Sequence, residues 1–172
     1  MSKWSFCEVS TLEFADEIEV SASIISFHDL LILEKCDEIH SFQAERVLDL
    51  DSAEEIVSEK LNRNLSKSMD CGFCIKNQEN LKIVLVELKC DVDSPNSMQV
   101  KYLEEKVEGS TNIVNGSLPI YHHYFFVFKK HRIHEATQKF RRYNFTSPYR
   151  YWPVDIETVY NAFFEIVDTA AI

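Results

Sequence analysis

The segment Leu81-Lys82-Ile83-Val84-Leu85-Val86-Glu87-Leu88-Lys89 constrains the fold of this chain more than any other. Its β-branched and aliphatic run predicts a buried strand, Leu81–Leu88. The polar stretch Asn77-Gln78-Glu79-Asn80, preceded by Cys71–Lys76, makes that strand the second arm of an antiparallel hairpin. A turn centred between Gln78 and Glu79 pairs Ile75 with Lys82, Phe73 with Val84, Cys71 with Val86 and, at the open end, Asp70 with Glu87. Directly opposed residues carry their Cβ atoms about 4.5–5.5 Å apart on one face, so both carboxylates aim at one point. Lys89 lies two residues beyond Glu87 and points the same way.

Opposed carboxylates repel one another unless a cation separates them. A divalent ion, Mg²⁺ or Mn²⁺, meets that need through its preference for oxygen ligands. Asp70 and Glu87 are then the expected ligands and catalytic acids, with Lys89 beside them to hold a water or neutralise developing charge. An exposed ion pair at a hairpin end is the bland alternative.

Asp70 followed after a gap by Glu87-Leu88-Lys89, at the end of an apolar strand, resembles the D…ExK signature of the PD-(D/E)xK nuclease superfamily. The resemblance spans roughly residues 52–128. It implies a restriction endonuclease-like αβββαβ core, hydrolysis of phosphodiester bonds in DNA, and a further metal-ligating acid on the preceding helix. Glu54 is the first choice for that acid and Glu59 the second. It also implies a polar residue on the following helix, for which Gln99 and Lys101 are the candidates.

The other elements are read from local patterns. Asp51-Ser52 caps a helix over Ser52–Leu65 with Val57, Leu61 and Leu65 on one face. Ser97 caps a second over Met98–Val107, ended near Gly109. Tyr121–Phe128 reads as a buried strand, His134–Tyr143 as a basic helix, and Asp155–Asp168 as a helix with Val159, Phe163 and Ile166 inward. Ile18–Ser23 and Leu30–Leu33 are short strands or helix fragments. The expected fold is α/β, a central mixed sheet flanked by helices. It forms a single domain: an acidic N-terminal extension (1–50), a nuclease-like core (51–128) and a basic-aromatic segment with a C-terminal helix (129–172).

Five cysteines at irregular spacing predict reduced, partly buried thiols. Cys71 and Cys74 fall on opposite strand faces, with no second close pair to complete a zinc site. No run of roughly 18 apolar residues is present, so no membrane span is expected and a cytoplasmic protein is.

The net charge of −10 opposes binding to a phosphate backbone. That average conceals a gradient: residues 1–60 hold fifteen Asp/Glu against four Lys/Arg, whereas residues 121–150 hold seven Lys/Arg, four His and one acid, Glu135. Lys129, Lys130, Arg132, Arg141 and Arg142, interleaved with Phe140, Tyr143, Phe145, Tyr149, Tyr151 and Trp152, are the expected substrate contacts, DNA before RNA. The rival expectation is a catalytically inactive regulatory or defence-related subunit that acts through a protein partner, or as a homo-oligomer.

Overall fold

The computed structural model describes residues 3–36, 42–78, 80–142 and 150–165. Among them, seven strands form one mixed sheet: β1 (Ser5–Phe6), β2 (Ile24–Ser26), β3 (Arg46–Asp49), β4 (Cys71–Asn77), β5 (Asn80–Leu88), β6 (Ile120–Val127) and β7 (Arg150–Val154). The helices are α1 (Glu8–Glu17), α2 (Phe27–Leu33), α3 (Leu50–Lys60), α4 (Val100–Ile113), α5 (Ile133–Arg142) and α6 (Ile156–Val159). The spatial order is β2-β3-β4-β5-β6-β7, with β1 beside the far end of β4. Pairing is antiparallel up to β5 and parallel across β5, β6 and β7. The protein is therefore α/β with a central mixed sheet. Residues 3–49, expected as an extension, supply three of its strands.

The hairpin has the register read from the sequence: Cys71 pairs with Val86, Phe73 with Val84 and Ile75 with Lys82, across a turn in which Gln78 takes a positive φ of 54°. Alternation along β4 and β5 sorts side chains onto two faces. Cys71, Phe73, Ile75, Val84, Val86 and Leu88 join one core, which is closed by Phe27, Leu30 and Leu31 of α2 and by Ile156, Val159, Phe163 and Phe164. Cys74, Ile83 and Leu85 join the other, under Phe14 of α1, Ala53 of α3, Leu103 and Val107 of α4, and Phe140 of α5. Cys71 and Cys74 thus lie on opposite faces, which removes a shared zinc site. Asp70, Glu87 and Lys89 fall by the same alternation on the face covered by α4.

Several expectations are corrected. The helix predicted over Ser52–Leu65 is Leu50–Lys60, because Asp49 is the cap: its carboxylate accepts from the Ser52 amide (3.1 Å) and hydroxyl (2.7 Å). Its buried stripe is Leu50, Ala53, Glu54 and Ser58, while Leu61 at the C-cap and Leu65 beyond the left-handed turn at Asn62 are exposed. The helix predicted over Met98–Val107 runs from Val100 to Ile113 without a Ser97 cap, and Gly109 lies inside it. Gly109 is required for close approach rather than termination, since a Cβ there would sit 1.8 Å from the Lys67 carbonyl oxygen.

Leu30–Leu33 belongs to α2. Ile18 caps α1, and Ser21–Ser23 is a single 3₁₀ turn ahead of β2. The C-terminal helix is α6 followed by a wider π-type turn over Tyr160–Phe164. Ile166 and Asp168, together with Tyr143, Phe145 and Tyr149, lie outside the described residues.

The thiols are not all reduced. Cys36 and Cys90 form a disulfide with a Cα–Cα distance of 5.1 Å, leaving Cys7, Cys71 and Cys74 free. Cys36, three residues past the end of α2, and Cys90, next after Lys89, meet because α2 packs against the β5 face, a proximity that cysteine spacing does not encode.

No helix among the described residues is long and apolar enough to cross a membrane.

Candidate active site at the open end of the hairpin

β4 begins and β5 ends at the same edge of the sheet, which brings Asp70 and Glu87 together as the next rung beyond the Cys71–Val86 pair. The Asp70 carboxylate is fixed by its own neighbour strand: Oδ2 accepts the Leu88 amide hydrogen at 2.6 Å. Glu87 is fully buried, as expected of a side chain pointing under α4 rather than into solvent. Lys89 lies 2.5 Å from Glu87 Oε1 with its amine partly open to water.

The fourth member was not foreseen. Lys106 of α4 places Nζ 2.7 Å from Glu87 Oε1 and 3.4 Å from Asp70 Oδ1, and is itself almost completely buried. Its position follows from how α4 is seated. Gly109 lets the helix backbone close on Lys67, and the Ser110 hydroxyl accepts the Met69 amide hydrogen at 2.6 Å. Those two residues, one turn beyond Lys106, hold it against the strand that enters at Asp70. A sequence signal existed: Lys106 falls on the stripe Leu103, Val107, Ser110 and Ile113, and a lysine on the apolar face of a helix implies a buried counter-charge.

The electrostatics follow from burial. Desolvation lifts the Glu87 carboxyl, the Asp70 charge lifts it further, and Lys106 and Lys89 pull it back, leaving it at about 7. Asp70 is raised chiefly by desolvation, against the pull of Lys106 and the Leu88 amide. Burial works to lower the Lys106 amine, but Glu87 and Asp70 outweigh it and hold the ammonium above its ordinary value. The contacts at Glu87 are close ion pairs rather than aligned hydrogen bonds. Both ammonium groups press on Oε1, and among the described residues Oε2 has no partner.

Further acids line the rim. Asp51, in the first turn of α3, accepts from the Ser68 hydroxyl and is close enough for its charge to act on Asp70 and Lys106. Glu34, at the C-terminus of α2, is raised by burial and by the charges of Asp70, Asp51 and Asp91.

The helix acid expected at position 54 is committed elsewhere. Glu54 is buried, but it accepts from Arg63 Nη1 at 2.6 Å, Arg63 Nη2 at 3.0 Å and the Ser66 amide at 2.6 Å. Burial opposes its charge; these donors more than offset that and hold it below the usual carboxylate range. Glu54 fastens the 61–66 loop, and Glu59 is exposed on the outer face of α3. Among the described residues, no group of three or more His, Cys, Asp or Glu is arranged to hold a metal ion.

The predicted substrate contacts divide in the same way. Gln99 caps α4 through its backbone and Lys101 is exposed in its first turn. Lys129, Lys130 and Arg132 follow the end of β6, the same sheet edge where the Lys89 amide donates to the Val127 carbonyl at 2.7 Å. Lys130 pairs with Glu157 and Arg132 with Glu135. Arg141 and Arg142 are exposed at the far end of α5, whereas Lys139 turns inward to the Asn96 carbonyl (2.6 Å) and the Met98 carbonyl.

Comparison of the chain with protein-family models, with curated proteins and with solved structures returns no match, so the chemistry of this cluster rests on its own geometry.

Proposed function

We propose that the protein is a metal-dependent nuclease of the PD-(D/E)xK type that hydrolyses phosphodiester bonds in DNA with Mg²⁺ or Mn²⁺. The observation that carries this reading is Glu87: a fully buried carboxylate that faces Asp70, with the Lys89 and Lys106 ammonium groups both crowded on Oε1 and Oε2 left without a partner among the described residues. A group in that state is costly unless a cation engages it. The donor set fits a hard divalent ion, since Mg²⁺ commonly takes one or two carboxylates and completes its shell with water. Asp70 Oδ1 and the Glu87 oxygens would hold it, and when bound it would supply Lewis-acid polarisation of the scissile phosphate.

The remaining work falls to the chain. Leu88 orients Asp70 through its amide at Oδ2, which leaves Oδ1 to face Lys106 and Glu87. Lys89, partly open to water on the same strand face, holds the attacking water and stabilises charge that builds on the phosphoryl oxygens. The amines after β6 and at the start of α4 stand around the carboxyl ends of parallel strands, where open α/β sheets bind ligands, and receive the flanking phosphates.

The acids of the rim favour a second reading, a non-catalytic subunit that binds a basic protein partner through Glu34, Asp51 and Asp91. Incubation of plasmid and single-stranded DNA with Mg²⁺ or Mn²⁺ separates the two. The nuclease reading expects cleavage by the wild type and none by Glu87→Ala or Lys89→Ala. Cleavage that persists in both variants defeats the assignment, and an inert wild type that shows no metal heat in calorimetry transfers it to the binding subunit.

A further inference from the structure

We propose that Lys106 is a tethered counter-cation that occupies the carboxylate pair in the metal-free protein and is displaced when a divalent ion binds. This rests on the reading of Asp70 and Glu87 as metal ligands. The same Lys106 ammonium contacts both of them, at 3.4 and 2.7 Å, in the place between opposed carboxylates that a cation must fill. Once Glu87 is ionised, above the pH at which its buried carboxyl releases its proton, the charges of the metal-free protein close: Asp70 and Glu87 against Lys89 and Lys106. A divalent ion added to that balanced set leaves two positive charges within a buried pocket. If Lys106 leaves, the excess falls to one, which a single phosphodiester neutralises. The lysine and the metal are therefore alternatives, and the incoming substrate completes the second arrangement.

The structure provides somewhere for the lysine to go. Its ammonium lies 5.9 Å from the centroid of the Tyr102 ring, one turn back on the same helix and partly exposed at the mouth of the site. Asp51, also exposed, already acts on it electrostatically. The Tyr102 ring already carries Lys67 Nζ at 4.2 Å, so a rotation of the Lys106 side chain about its own stem takes Asp51 as its counter-charge, while α4 stays fixed by Gly109 and Ser110. In that second position the amine stands where substrate enters. Lys106 thus lowers metal affinity and stabilises the empty fold.

Calorimetric titration with Mn²⁺, paired with thermal unfolding in the absence and presence of Mn²⁺, tests this on the full chain. Lys106→Met is expected to bind Mn²⁺ at least about tenfold more tightly than wild type, to melt lower than wild type without metal, and to regain that loss when metal is added. Lys106→Gln is used in the same way should the methionine variant not fold. A measurement on the wild type alone needs no variant: the protected Lys106 ammonium signal in a ¹H–¹⁵N correlation is expected to shift or exchange away on addition of Mg²⁺. Equal or weaker Mn²⁺ affinity in both variants, or an ammonium signal unmoved by Mg²⁺ that demonstrably binds, overturns the displacement while leaving the metal site standing. Absence of metal heat from wild type and variants alike overturns both.

Discussion

Replacing Cys36 and Cys90 with alanine should cost the fold about 4 kcal/mol. The bridge spans a separation of 54 residues, which takes in β3, α3 and the entire β4–β5 hairpin. In the chain-entropy treatment, a loop of that length removes about 14 cal/mol/K from the unfolded chain, or about 4 kcal/mol near room temperature. Alanine is the apt replacement because both sulfurs are buried, and serine would add two buried hydroxyls to the cost. Urea unfolding followed by the fluorescence of Trp4 and Trp152 gives the comparison. With a urea slope of about 2 kcal/mol/M, the midpoint should fall by roughly 2 M in the double variant, and by a similar amount in wild type treated with a dithiol. The reduced double variant should show no further change. A shift corresponding to less than about 1 kcal/mol, or five alkylatable cysteines in denatured, unreduced protein instead of three, would refute the reasoning.

Glu87 makes the metal-free protein sensitive to pH in a defined direction. Its carboxyl titrates at about 7 when folded against 4.5 ordinarily, so between those values the folded protein keeps a proton that the unfolded chain has released. Stability should fall as pH rises across that window, by an amount on the order of 3 kcal/mol, and level off above it. The raised Asp70 acts in the same sense. Urea midpoints at pH 5 and 7.5 without divalent ions check this; Glu87→Gln should flatten the slope, and a wild type that grows more stable over the interval would contradict it. Gly109→Ala should destabilise by about 2 kcal/mol or more, because the new methyl meets the Lys67 carbonyl, a backbone atom with little room to yield. Urea unfolding reads that loss, and a change under about 0.5 kcal/mol would mean that α4 is not held by this approach.

What the sequence disclosed, it disclosed through periodicities of two. The turn and the alternation of β4 and β5 settle the hairpin register, and with it the meeting of Asp70, Glu87 and Lys89, because a strand has few ways to misplace a side chain once its partner is known. Helix-borne residues were harder. The cap is Asp49 rather than Asp51-Ser52, and Glu54 lies on the buried stripe of α3 as a structural partner of Arg63, a residue beyond the helix end whose return no helical period encodes. Reading Gly109 as a terminator shortened α4 and concealed the stripe on which Lys106 lies. In both cases the deciding contact, Asp49 with Ser52 or Gly109 with Lys67, involves a backbone group whose position depends on chain distant from the helix or on the exact turn at its start. The Cys36–Cys90 bridge belongs to the same class, since it records where α2 lands on the sheet.

The charge gradient along the chain gains its meaning from topology. From β2 onward, the spatial order of strands repeats their order in the sequence, so an acidic beginning and a basic end become two sides of one sheet. Glu34 and Asp51 reach the site from the β2–β3 side, and Lys129, Lys130 and Arg132 follow β6 on the other, with Glu87 on β5 between them. On the proposed nuclease reading, a polyanion approaching the pair from the β6–β7 side meets Lys129, Lys130 and Arg132 first, the last two already paired with Glu157 and Glu135, while the acids opposite repel it and would attract divalent cations. The net charge of −10, on the same reading, opposes phosphate over most of the surface and leaves one side open to a nucleic-acid substrate. On that reading it restricts the direction from which one would arrive, and it makes neutralisation of the buried carboxylates, by Lys106 or by a metal, the condition for a phosphate to come near Lys89.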